Sequence, residues 1–206
     1  FPGARQDRVC NPGEPLSVKV YASLINAQQF NSVTVFDPHS DVTAALLNKV
    51  QVVKNHAFVQ DVVNRLGRDI TLISPDAGAN KKIFELSAFL GGVPVVRADK
   101  IRDVRDGKII ATEVFADSLH GATCVIIDDI CAGGRTFIEL AKKLKEKCAE
   151  SIVLVVSHYE GSAKEDLLRQ SGIDKVYCTD SLAVKGSEFV SVTAVTPFLI
   201  TQGEVK

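Results

Sequence analysis

The chain has 206 residues, a formal net charge of −1, 46% hydrophobic residues, 14 Gly and 7 Pro. That is an ordinary globular composition with enough apolar material for one or two cores. It excludes a broad basic field for nucleic acid and an acidic tail, so any polyanion binding has to be local. No run reaches the ~18 uninterrupted apolar residues that mark a membrane span, and no signal-peptide pattern is read at the start. Five cysteines (Cys10, Cys124, Cys131, Cys148, Cys178), odd in number and without a CxxC pair, read as reduced thiols of a cytoplasmic protein, not as a disulfide frame or zinc site. The chain lacks Met and opens inside a motif, FPGARQDR, so a trimmed or partial chain is expected.

In chain order, an amphipathic stretch at 14–30 predicts the first helix and SVTVFD (32–37) the first strand. NKVQVVKNHA (48–57) reads as a link between two α/β units. A helix at 57–66, a strand DITLIS (69–74) and a helix at 79–90 follow. VPVVRAD (93–99) predicts a strand, and 95–116 reads as two extended arms around Asp106-Gly107, a β-hairpin signal. Then come TCVIIDD (123–129), a helix over 135–148, SIVLVVSH (151–158), a helix over 161–171 and KVYCTDSL (175–182). In the 135–148 helix, Phe137, Ile138, Ala141, Leu144 and Cys148 share one face, with Lys142, Lys143, Lys145 and Lys147 on the other. The strands are apolar on both faces, as strands between two helical layers are. The alternation predicts an α/β fold with a largely parallel sheet. The expected division is 1–56, 57–197 and a tail, 198–206.

CVIIDDICAGGRT (124–136) carries the most chemistry. A strand that ends in acids and turns through glycines into a helix makes an anion site: glycines let amides converge, and the helix N-terminus adds partial positive charge. Asp128 and Asp129 repel a phosphate but suit hydroxyls of the same ligand, or a metal. Together they describe a phosphorylated sugar, outside the carboxyl end of a parallel strand. The loop is neither GxxxxGK[ST] nor GxGxxG. Taken alone, it also fits an acidic strand end with Thr136 or Asp129 capping the helix.

VIIDDICAGGRT resembles the phosphoribosyl-diphosphate loop of type I phosphoribosyltransferases and of ribose-phosphate diphosphokinases (PRPP synthetases). FPGARQDRVCNPGEPLSVKVYASLI, FDPHS, LISPDAGANKK and ADKIRD resemble four further segments of the latter, in order, across residues 1–136, with a weaker match to about 197. The resemblance implies a type I phosphoribosyltransferase-like parallel sheet flanked by helices, with the remaining part of a second, similar domain. It also implies transfer of the diphosphate of Mg·ATP to ribose 5-phosphate, giving PRPP and AMP, with Mg²⁺ as cofactor and a homo-oligomer, commonly a hexamer. The relatives carry a substantial segment before FPGARQDR.

By spacing alone, Arg5, Gln6 and Asp7 read as a surface turn with ordinary salt bridges; the resemblance assigns them to ATP. A lone His39 reads as a hydrogen-bonded structural histidine, since Mg²⁺ prefers oxygen ligands; the resemblance gives His39 and Asp76 to the metal–nucleotide site. Asp37 offers itself as their supporting partner, and His56, His120 and His158 read as structural. Ala79 stands where the family usually has glycine. Lys100 and Arg102, two apart on an extended arm, project to one side. Basic residues in a charged hairpin are commonly only solvated; the resemblance makes these two the catalytic pair.

In the loop, Asp128, Asp129, Ala132, Gly133, Gly134, Arg135 and Thr136 are the ribose 5-phosphate set that the resemblance implies. Its usual form is DDxxDTxGT, so Ala132 replaces an acid, Gly133 a threonine and Arg135 a glycine. Cys131 reads as a packed apolar thiol. Two other readings remain: a type I phosphoribosyltransferase, and a non-catalytic regulatory relative for which Ala132 is the argument.

Overall fold

The computed structural model describes residues 1–67, 69–102 and 109–200, with the side chains at 102, 109 and 110 left aside. The chain forms two compact units, one of Phe1–Asn55 with the helix that begins at Thr196, the other of His56–Val195.

In the first unit a turn leads into α1 (Ser17–Ala27), then β1 (Val33–Phe36), α2 (Asp41–Leu46) and β2 (Val50–Val53), and α7 (Thr196–Ile200) belongs here too. The two strands pair in parallel, Val33 with Val50 through Phe36 with Val53. Residues 50–53, read from sequence as part of a link, are thus a strand. Four residues between Lys49, at φ 50°, and Lys54 are too few for a periodic signal. The same brevity hid α2. Residues 196–200, partly assigned to a tail, form helix α7, and 201–206 lie outside the described residues.

In the second unit, α3 (His56–Leu66), β3 (Ile70–Ser74), α4 (Asn80–Phe89), β4 (Val95–Arg102), β5 (Ile109–Val114), β6 (Thr123–Cys131), α5 (Arg135–Glu146), β7 (Ser151–Tyr159), α6 (Glu165–Gln170), β8 (Lys175–Thr179) and β9 (Val190–Thr193) follow one another. The sheet order is β5-β4-β3-β6-β7-β8-β9. Among the described residues β4–β5 is its one antiparallel pair, and all other neighbours are parallel. The expected parallel α/β sheet and hairpin are both present; Asp106-Gly107 lies outside the described residues.

β6 and β7 form the middle of the core. Cys124–Ile127 and Ile152–Ser157 are buried without interruption, as strands covered on both faces have to be. α5 buries Phe137, Leu140, Ala141 and Leu144, with Lys143 and Lys145 in its last turn, where cations complement the helix dipole. β9, not anticipated, adds an edge through Val176–Val190 to Thr179–Thr193.

Candidate functional site

Parallel strands place their carboxyl ends at one edge of the sheet, and here neighbouring strands β4 and β6 carry Lys100 and Asp128 in their last residues, while Asp76 lies two residues beyond the end of β3. Asp76 opens the turn between β3 and α4. Its Oδ1 accepts the Ala79 amide at 3.1 Å, and Ser74 Oγ donates to its carbonyl at 3.2 Å. A β-carbon on Gly78 would stand 3.3 Å from Asp76 Oδ1. Ala79 sits at φ −78°, so the alanine in place of the usual glycine brings no strain.

Lys100 Nζ donates to Asp76 Oδ2 at 2.8 Å. The pair is lopsided: the Lys100 side chain is 13% exposed, the Asp76 side chain 35%. Beyond Arg97, among the described residues, β4 pairs only with β5, Lys100 opposite Thr112, and a register shift falls between Ile101 and Arg102. The period-two spacing that relates Lys100 to Arg102 is interrupted at that step. Arg102 closes β4, and its side chain lies outside the described residues.

β6 runs through both acids to Cys131. Asp129 is 9% exposed, and its amide donates to Asp128 Oδ1 at 2.9 Å. Burial pushes the Asp128 carboxyl well above the usual range. The charge of Asp129 and a side-chain hydrogen bond to it push the same way, the Asp129 amide opposes, and the charge of Asp76 adds to the rise. Cys131 is fully buried; burial first, then Asp128 and Glu160, push its thiol up to about 12. It is a packed thiol, as expected.

After Cys131 the chain turns through half-buried Ala132 and exposed Gly133 to Gly134, at φ 74°, the N-cap of α5. Phe137 and Ile138 amides both donate to the Gly134 carbonyl at 3.0 Å, and the Arg135 and Thr136 amides have no intrahelical acceptor. α5 has no acid in its first turn, and Arg135 opens it. A cation there opposes the helix dipole, and both the free amides and the Arg135 charge favour an anion beside this helix start. The N-cap position of α5 is Gly134, which has no side chain to cap the helix.

In the first unit, FPGARQDR folds as a turn. Gln6 N donates to Gly3 O at 2.9 Å, and Gln6 O accepts Val18 N, an early amide of α1, at 3.3 Å. Arg5 and Gln6 are exposed and Asp7 half-buried. Gly3, at φ 72°, lies where a β-carbon would stand 2.9 Å from Ser17 Cβ and Tyr21 Cδ2. At the end of β1, buried Asp37 takes φ 40°; its amide donates to Val53 O at 2.8 Å, and Asn55 Nδ2 donates to its Oδ2 at 3.0 Å. This bend puts His39 in an exposed position. His39 and the Arg5–Asp7 turn belong to the first unit; Asp76, Lys100 and the 132–136 loop belong to the second.

The Asp76–Lys100 ion pair was not readable from sequence. Nothing local signals it, because it depends on β3 and β4 being neighbours in the sheet.

A family model described as the phosphoribosyl transferase domain matches residues 58–177. The chain is 27% identical over 94% of its length to a ribose-phosphate pyrophosphokinase of Ureaplasma parvum, 30% over 97% to one of Hyphomonas neptunium, and 31% over 88% to one of a Marinomonas species. It spans 61%, 66% and 58% of those relatives' lengths. The phosphoribosylpyrophosphate synthetase of Mycobacterium smegmatis shares the fold, with a TM-score of 0.83 at 22% identity over 98% of this chain and 67% of that one.

Proposed function

Because the chain belongs to the phosphoribosyl transferase domain family, we propose that it serves as the ribose 5-phosphate and catalytic-lysine part of a ribose-phosphate diphosphokinase, forming PRPP and AMP from Mg·ATP and ribose 5-phosphate. The observation that carries this reading is the meeting of Lys100 with Asp76 beside Asp128. A phosphoribosyltransferase loop alone does not require a lysine on that arm.

The 5-phosphate is held by the Gly133–Thr136 turn, with Arg135 adding a cation. Asp128 and Asp129 hold the ribose hydroxyls, and Asp128, kept towards its protonated form, can donate as well as accept. This fixes the sugar's O1 for in-line attack on the β-phosphorus. The P–O bond to the bridging oxygen breaks, that oxygen leaves with AMP, and the hydroxyl proton passes to solvent or a site carboxylate. Lys100, with Arg102, neutralises charge on the transferring group. Arg5, Gln6 and Asp7 would take the nucleotide, and His39 and Asp76, each in its own unit, are the residues that would serve its metal.

Mg²⁺ needs few protein ligands when it travels with a polyphosphate: one or two carboxylates plus phosphate oxygens and water. The single carboxylate of Asp76 therefore fits, although among the described residues no group of three His, Cys, Asp or Glu is placed to hold a metal. When bound, the ion neutralises charge on the phosphate oxygens. A homo-oligomer, commonly a hexamer in the family, and a cytoplasmic site of action accompany this reading; among the described residues no helix is long and apolar enough to cross a membrane.

The test is mass spectrometric detection of PRPP and AMP from Mg·ATP and ribose 5-phosphate, beside Lys100→Ala. Equal amounts of both products, lost in the variant, support the reading. Substrate binding without product overturns it in favour of the regulatory relative that Ala132 suggests. PRPP consumption with a nucleobase points to a phosphoribosyltransferase.

A further inference from the structure

We propose that Asp76 is an exchangeable counter-ion for Lys100: its Oδ2 holds the ammonium until a divalent cation arriving with the nucleotide takes that oxygen and releases Lys100 to the polyphosphate. The inference rests on the diphosphokinase reading and assigns Asp76 a positioning role that acts through Lys100.

Three features of the pair support an exchange over a fixed bridge. The first is asymmetry within the carboxylate. Oδ1 is tied to the Ala79 amide at 3.1 Å, so the group keeps its place, while among the described residues Oδ2 is held by Lys100 alone, at 2.8 Å. The second is access. Asp76 is 35% exposed and Lys100 13%, so a hydrated cation can approach the carboxylate from solvent while the ammonium stays enclosed. The third is the arm. From Ala98 to Arg102, among the described residues, β4 has a strand partner on one side only, with a register shift at Ile101/Arg102, so Lys100 can move without breaking the β3 ladder.

Electrostatics then makes the two binding events dependent on each other. A half-enclosed ammonium that loses its carboxylate, a pairing of about 1 kcal/mol, is left in want of another anion. The anion available at that moment is the polyphosphate that brought the metal. One carboxylate thus serves two cations in turn, and the lysine is delivered only when the metal is in place.

Lysine reactivity tests this directly. The full chain is pulsed with an amine-acetylating reagent with and without Mg²⁺ alone, and acetylation at Lys100 is read by peptide mass spectrometry, with exposed Lys142 as internal reference. Mg²⁺ is expected to raise Lys100 labelling about fivefold, the factor that losing a pairing of about 1 kcal/mol represents. Asp76→Asn is expected to raise it equally without Mg²⁺ and to abolish the response. Equal labelling of Lys100 in wild type with and without Mg²⁺, or a response that persists in Asp76→Asn, overturns the exchange. The Mg²⁺ titration of wild type decides the matter even if the variant does not fold. Because labelling needs no turnover, a chain that forms no PRPP but shows the exchange refutes the activity alone, and an active chain without the response refutes the exchange alone.

Discussion

Gly134 and Ala163 stand so close that a β-carbon on the glycine would lie 3.0 Å from the alanine Cβ and 3.1 Å from Leu168 Cδ2. The glycine is also at φ 74°, so the turn before α5 and the segment leading into α6 close on one another only without a side chain there. Gly134→Ala is expected to destabilise the protein by about 2 kcal/mol or more, from backbone strain and overpacking together. Gly133 has no neighbour within 4 Å of its would-be β-carbon, and Gly133→Ala is expected to stay within about 0.5 kcal/mol. Denaturant melts of the two variants check this, and equal effects would refute it.

Lys100→Ala removes the enclosed cation and leaves Asp76 Oδ2 without its ammonium. Loss of one preorganised charge partner of a transition state lowers kcat by about 10²–10³-fold. Steady-state PRPP formation reads the change, and KM for ribose 5-phosphate is expected to stay near wild type because the proposed acceptor site lies on β6 and α5. A variant with unchanged kcat would remove Lys100 from the mechanism.

Asp128 has its folded-state carboxyl raised above the unfolded value, from burial first and then Asp129. The folded protein therefore holds this proton more tightly than the unfolded chain. Its contribution is fully present below about pH 4, the ordinary carboxyl value, and is lost as pH rises towards the raised folded value. Asp128→Asn, which is neutral throughout, is expected to gain stability over wild type at pH 8 more than at pH 4, while weakening ribose 5-phosphate binding. Urea melts at the two pH values, with calorimetric binding, make the comparison; a gain confined to pH 4 would have the wrong sign.

Burial raises the thiols of Cys124 to about 11, Cys131 to about 12 and Cys178 to about 11, whereas Cys10 and Cys148 are exposed. Iodoacetamide at pH 8 is expected to modify Cys10 and Cys148 and to spare the other three until the protein unfolds. The raised values also mean that the folded state keeps protons the unfolded state releases above about 9, so stability falls as pH climbs from there. Mass mapping and an alkaline melt series check both statements.

Much of this was legible from periodicity. β6 and β7 announce themselves as long apolar runs, and α5 as a stripe of Phe137, Ala141 and Leu144 with lysines opposite. The loop at 128–136 was legible because acids, glycines and a helix start stand adjacent in sequence. What escaped were elements of four to six residues, β2, α2, β9 and α7, whose existence depends on a partner and not on a local pattern. The Asp76–Lys100 pair escaped for the same reason. The positive φ of Asp37 was equally invisible, since aspartate enters that region only where a bend, here locked by Asn55 and Val53, holds it.

The adjacency of β3 and β6 has a consequence for how the protein acquires its site. Ile70 pairs with Thr123 and Ile73 with Ile126, so the carboxylates of Asp76 and Asp128 come together only after the chain between them, hairpin included, has been looped out and returned. Distant parallel pairings of this kind form late, because the loop entropy is spent before the contacts are gained. A partly folded species can therefore carry native helices and still have no acceptor site. In refolding, ligand capture should lag behind the recovery of helical signal, and binding competence becomes a marker of the finished sheet.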